Sequence, residues 1–251
     1  MNAKKVWVLV FVALIAIVLA VLGKLMGIGG KNDFLIAGDG VKIAYDWYST
    51  AEDAKGYVAL AHMMPATKES WRDFAVFLQE RGYSSIAIDL RGHGKSEEGP
   101  NGFLKFSDEE HQKGILDLSA ATDFLKQQGA LEGDINIIGA SIGANLALQY
   151  LAENSQIKGA VLLSPGLNYR GIETEPLIQR LQAGQKVLLV ASEDDVRSGG
   201  NAVSMSKRLY DLAPSGVDKK LEIFKTGGHG TGLFESAEKN LAEIILGFLE
   251  K

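Results

Sequence analysis

Six short apolar runs limit what this chain can fold into. Residues 57–61 (YVALA), 83–88 (YSSIAI), 135–139 (INIIG), 158–164 (KGAVLLS), 186–192 (KVLLVAS) and a last run centred on 221–224 are nearly continuous in Val, Ile, Leu and Ala. Runs of this length without polar alternation are strands covered on both faces. Helix-like stretches separate them. Residues 70–82 (SWRDFAVFLQERG) carry Phe74, Phe77 and Leu78 at helical spacing and stop at Gly82. Residues 107–129 open with Ser107 as N-cap, continue through a run of acids and close at Gly129, which predicts one helical stretch. Residues 143–154, 175–182, 201–213 and 234–251 complete the set. Ahead of them, residues 34–48 form a predicted hairpin about Gly38-Asp39-Gly40. The expected fold is α/β, a doubly wound, mostly parallel eight-stranded sheet with a leading antiparallel hairpin.

The first 24 residues stand apart. Residues 6–22 are unbroken apolar, about 25 Å as a helix. That is the short end of a membrane span, with Lys24 positioned to snorkel. Lys4 and Lys5 also suit the basic region of a signal peptide, but the apolar run is longer than usual there and no Ala-x-Ala follows it. The sequence predicts an uncleaved anchor over 1–24, a linker over 25–33 and a catalytic domain over 34–251. The alternative is secretion after signal cleavage. Lysines 4 and 5 with the terminal amine, set against Lys24 and Lys31, orient the N-terminus to the cytoplasm and the domain outside.

Composition removes whole classes of function. There is no cysteine, so disulfides, thiolate metal sites and a cysteine nucleophile are excluded. A net charge of −5 argues against a nucleic-acid partner. The four histidines, His62, His93, His111 and His229, fall in no metal-binding spacing, so no metal is expected. GHGKS (92–96) ends like a phosphate-binding loop, but Asp89 stands where that motif needs its first glycine.

Gly-Ala-Ser-Ile-Gly (139–143) lies where the run 135–139 gives way to a helical stretch. With 29 glycines in the chain the pentapeptide alone is weak, and its position carries the argument. Gly139 and Gly143 permit a tight turn that lifts the Ser141 hydroxyl clear of the sheet, at a helix N-terminus suited to an oxyanion. A plain N-cap reading accounts for the serine but not for both glycines. A serine at such an elbow needs an acid and then a histidine later in the chain. Only His229 follows Ser141. Glu193, Asp194 and Asp195 all follow the run 186–192, and their spacing leaves the acid open among them.

Residues 34–251 resemble the α/β-hydrolase superfamily. The segments that carry the likeness are LAHMMPATKESW, DLRGHGKS, GASIG, ASEDDV and GGHGTG. Laying Ser192 on the glycine of the family's G-x-x-D run implies Asp195 as the acid, with Asp194 next. The likeness implies Ser141 as nucleophile, His229 as base, and the backbone N–H groups of Ile142 and Met64 as oxyanion donors. Met63 stands where the family has glycine and is the fallback donor. His62 and His93 match structural positions. The cap is reduced to residues 165–185, which implies an open mouth lined by Met63, Leu167 and Tyr169 beside the loop 99–106. The expected protein is a serine hydrolase without cofactor or metal, carboxylesterase- or lipase-like. It would cleave a small-molecule or lipid ester: an acyl ester, lysophospholipid or thioester. The alternatives are an acyltransferase with the same triad and a catalytically silent binding protein on this fold.

Overall fold

The computed structural model describes residues 34–50, 53–197 and 200–251. The predicted anchor and linker lie outside the described residues. Among the described residues no helix is long and apolar enough to cross a membrane.

Eight strands form one sheet: β1 (Phe34–Ile36), β2 (Lys42–Tyr48), β3 (Gly56–Ala61), β4 (Tyr83–Ile88), β5 (Ile135–Ala140), β6 (Gly159–Leu163), β9 (Lys186–Ser192) and β12 (Asp218–Phe224). Their order is β1-β2-β4-β3-β5-β6-β9-β12. β1 pairs antiparallel with β2, and β2 with β4. All later neighbours are parallel. The leading hairpin and the six apolar runs are therefore strands, with the last longer than its apolar centre.

Alternation along the strands divides the core in two. Ala59, Ile137, Val187 and Leu189 face one apolar cluster, with Leu118, Leu125, Leu146 and Leu151. Val58, Leu60, Ile138, Leu188 and Val190 face the other, with Trp71, Phe74, Leu78 and Ile245. On the first face lie α3 (Gly114–Gln127) and α4 (Ile142–Glu153); on the second lie α1 (Arg72–Glu80) and α7 (Leu241–Leu249). Covering both faces is why the central strands carry no polar alternation.

Two helical expectations are corrected. The stretch 107–129 is two helices, α2 (Asp108–Gln112) and α3, joined at Lys113. The break falls beside Gly114, which weakens a helix and where a Cβ would come within 2.8 Å of Leu146 Cδ1 on α4. Ser107 does cap the first piece, its hydroxyl accepting from Glu110 N while the Glu110 carboxylate accepts from Ser107 N. The last stretch begins as a short 3-10 turn (Gly230–Glu235), and α7 starts only at Leu241, where the Asn240 side chain accepts from Glu243 N. The remaining helices are α5 (Thr174–Gln179) and α6 (Ala202–Leu212), the latter capped by Asn201.

Candidate active site

The site lies at the carboxyl ends of β3, β5, β6, β9 and β12, where open α/β sheets assemble their ligands. Ser141 joins β5 to α4 with φ 55 and ψ −118, a conformation few non-glycine residues adopt. Its N–H donates to the Leu163 carbonyl at 2.8 Å, and its carbonyl accepts from Ala144 and Asn145. The flanking glycines are required. A Cβ on Gly139 would lie 2.0 Å from the Gly143 carbonyl oxygen, and one on Gly143 would lie 2.4 Å from that of Ala61. The Ile142 N–H belongs to the first turn of α4, at the positive end of the helix dipole.

His229 follows β12 in a loop where Gly227, Gly228 and Gly230 all have positive φ. Its Nδ1 is 2.7 Å from Asp195 Oδ2, and the Asp195 side chain is only 2% exposed. A carboxylate there selects the tautomer with the proton on Nδ1 and leaves the Nε2 lone pair free to accept one. Burial pushes the Asp195 carboxyl up, but hydrogen bonds from His229, Ser164 and Arg197 outweigh it and hold it below its ordinary range. Asp194, the other candidate acid, serves the loop instead. Its carboxylate accepts from Gly227 N and Gly228 N at 3.3 and 3.0 Å and bonds the Ser192 hydroxyl. Glu193 is exposed. Its N–H pairs with the Phe224 carbonyl.

The loops converge through the residue after the histidine. A Cβ on Gly230 would lie 2.5 Å from Met63 Sδ and 3.3 Å from Ala140 Cβ. The segments carrying His62–Met63, Ala140–Ser141 and His229–Gly230 therefore meet in one place. His62 is fully buried, and its Nε2 accepts the Leu90 N–H at 3.0 Å. Nδ1 must then carry the proton, which it donates to the Met63 carbonyl at 2.9 Å. Across a trans peptide this bond aims the Met64 N–H away from His62. Burial, with His93 close by, lowers the His62 pKa to about 3, so the ring stays neutral. His93 is also buried, its ring stacked on Phe103 at 4.1 Å.

The reduced cap is a two-strand hairpin, β7 (Asn168–Tyr169) with β8 (Ile172–Glu173), followed by α5. Buried Asn145 of α4 holds it, donating to the Ile172 carbonyl and accepting from Gly166 N. Leu167 and Tyr169 are half-buried against the α4 side of the core. The Tyr169 ring lies over Gly166, where a Cβ would be 2.5 Å from it. Burial and the nearby Asp195 charge raise its phenol pKa.

Asp89 anchors the loop after β4. The Asp89 carboxylate accepts from Lys68 N and Lys95 N, both at 2.8 Å. This ties the loop after β4 to the 3-10 turn after β3 (Lys68–Trp71).

Ser164 was not among the candidates from sequence. It ends β6 with φ 51 and no exposure. Its Oγ accepts from Gly230 N at 3.0 Å and shares a hydrogen bond with the Asp195 carboxylate. The only available signal was a serine at the end of an apolar run, before Pro165. Arg197 was missed as well. Its Nε is 3.0 Å from Asp195 Oδ1.

A mostly parallel sheet wound on both faces, with a strained serine between β5 and α4, defines an α/β hydrolase. Residues 52–190 match the family described as serine aminopeptidase, S33, and the chain belongs to that family. A non-heme haloperoxidase of Rhodococcus erythropolis is 30% identical over 133 residues, 52% of this chain and 43% of that protein. A bifunctional esterase/perhydrolase of Acinetobacter calcoaceticus is 31% identical over 129 residues, 50% of this chain and 42% of that protein. The chain thus matches less than half the length of these curated relatives. Among solved structures, a Pyrococcus furiosus esterase superposes with a TM-score of 0.71 at 21% identity, over 88% of this chain and 91% of that one. An Exiguobacterium antarcticum esterase gives 0.67 at 15% identity, over 88% of this chain and all of the other. At these identities the likeness is one of fold.

Proposed function

We propose that the protein is a serine hydrolase that cleaves carboxylic esters through Ser141, His229 and Asp195. The observation that carries this reading is the 2.7 Å contact between His229 and Asp195, in a loop packed against the strained Ser141 corner. His229 Nε2 takes the Ser141 proton as Oγ attacks the ester carbonyl. The Ile142 and Met64 N–H groups receive the developing oxyanion, and the proton passes to the departing alcohol. Water then releases the acyl group with His229 again as base. The small cap suits a substrate entering from an open mouth past Met63, Leu167 and Tyr169. The apolar run 6–22 supports a single-pass anchor with the domain outside the cytoplasm, which would bring the site close to lipid esters.

The test is intact-mass analysis after treatment with a fluorophosphonate probe, with Ser141→Ala in parallel. One adduct on the parent and none on the variant is expected. A folded parent that takes up no probe would leave a silent binding protein as the better reading. An ester panel with an added alcohol acceptor separates hydrolysis from acyl transfer by product.

A further inference from the structure

The triad acid has a second cationic partner that the hydrolase mechanism does not require. β10 (Val196–Arg197) pairs antiparallel with β11 (Gly200–Asn201), with Arg197 opposite Gly200. The hairpin is tied back to the site because Ala202 N, at the start of α6, donates to the Asp195 carbonyl at 3.1 Å. This geometry puts Arg197 Nε 3.0 Å from Asp195 Oδ1 while His229 Nδ1 sits 2.7 Å from Oδ2. One buried carboxylate thus lies between an arginine and the histidine. The two cation sites differ in exposure: the Arg197 side chain is 58% exposed, the His229 side chain 7%. Arginine keeps its charge at every working pH, so its field on the pair is constant.

We propose that Arg197 is an electrostatic positioning residue that weakens the hold of the Asp195 carboxylate on a protonated His229. An imidazolium is stabilised by the carboxylate beside it. A guanidinium on the far oxygen offsets part of that negative charge and repels the imidazolium across it. The other charged or titratable groups that meet the pair act differently. Tyr169 of β7 carries a neutral phenol. The Asp194 carboxylate at the end of β9 is turned onto the Gly227 and Gly228 N–H groups. Because Arg197 is largely exposed, its field is screened by solvent and salt, and the effect is modest.

The inference rests on the serine-hydrolase reading, and the experiment separates the two. The rate of fluorophosphonate adduct formation on the full chain is measured against pH, at low salt and at about 0.5 M salt. Arg197→Ala and Arg197→Lys are run in parallel. In Arg197→Ala the acid limb of the labelling profile moves to higher pH. In Arg197→Lys, which keeps the charge, it stays near the parent position. Added salt moves the parent limb toward that of Arg197→Ala and leaves the variant in place. Superimposed limbs, with only the plateau lowered in the variants, would mean a purely structural role and overturn the proposal. The salt comparison needs no variant, so it decides even if Arg197→Ala fails to fold. A parent that forms no adduct at any pH overturns the hydrolase reading itself, whereas adducts with salt-insensitive limbs overturn only the role of Arg197.

Discussion

Ser164→Ala gives a direct measure of what holds the His229 loop to the Asp195 carboxylate. The change removes one hydroxyl from a fully buried position and breaks two bonds. Gly230 N loses its acceptor at 3.0 Å, and the Asp195 carboxylate loses one donor. An orphaned buried N–H costs about 1–3 kcal/mol, and a hydrogen bond to a charged group is worth about 1.5–3 kcal/mol. Since both pass through one atom they do not simply add, and a total of about 3 kcal/mol is expected. Alanine keeps a Cβ at φ 51, so no backbone strain is released. Ser164→Gly loses the same bonds but recovers about 1 kcal/mol of left-handed strain, so it falls between alanine and the parent. Urea unfolding followed by tryptophan fluorescence should show the alanine midpoint lower by about 1 M, at unchanged slope. Fluorophosphonate labelling should slow about tenfold, as the His229 loop loses its tether. An alanine variant within about 0.5 kcal/mol of the parent, or a glycine variant below it, would refute this reasoning.

Further outcomes are expected from the same geometry. Asp195→Asn should lower the labelling rate by about three to four orders of magnitude by presenting the wrong histidine tautomer. Asp194→Asn, which perturbs the Gly227–Gly228 turn and the Ser192 contact, should cost less than about tenfold; equal losses would show that the acid is misassigned. Gly143→Ala drives a methyl to 2.4 Å from the Ala61 carbonyl oxygen. It should destabilise the fold by about 3 kcal/mol, read as a drop in urea midpoint, and abolish the adduct. Acid should weaken the fold through His62. The unfolded chain binds that proton near pH 6.5 but the folded one only near pH 3. Between those values the unfolded state holds more protons, so stability falls as pH falls, by about 1 kcal/mol per pH unit. Urea midpoints at several pH values should show this slope flattened in His62→Gln, and parallel curves for variant and parent would count against it.

Most of the fold was legible because burial on both faces of a parallel sheet leaves a simple trace. Strands 83–88 and 186–192 coincide with their apolar runs, and Ser107 caps a helix at the expected residue. The errors fell where a local pattern was overridden by a contact from elsewhere. The break at Lys113 falls beside Gly114, a helix-weakening residue that packs against Leu146, thirty-odd residues away.

The candidate site divides along the same line. Sequence alone determined the strand–turn–helix around Ser141, because two glycines flanking a serine answer to local sterics. It also narrowed the candidate base to His229, because chain order left one histidine. It narrowed the acid to three neighbours and, through family likeness, preferred Asp195. The tertiary structure decided which carboxylate meets His229, since adjacent residues leaving a strand point in different directions and only the packed loop shows which one turns inward. It also decided the partners of that carboxylate. Ser164 and His229 come from the loops after β6 and β12, and only the stacking of those strands beside β9 brings them to the buried Asp195 carboxylate, whereas Arg197 reaches it from two residues along the same loop. Arg91 makes the same point away from the site. It bonds Asp39 of the leading turn and Asp117 of α3 in one ion cluster, closed by contacts across 52 and 26 residues. Spacing within a segment records the forces that act within it. Charges and hydroxyls that meet across the sheet leave no periodic trace, because their geometry exists only once the layers have packed.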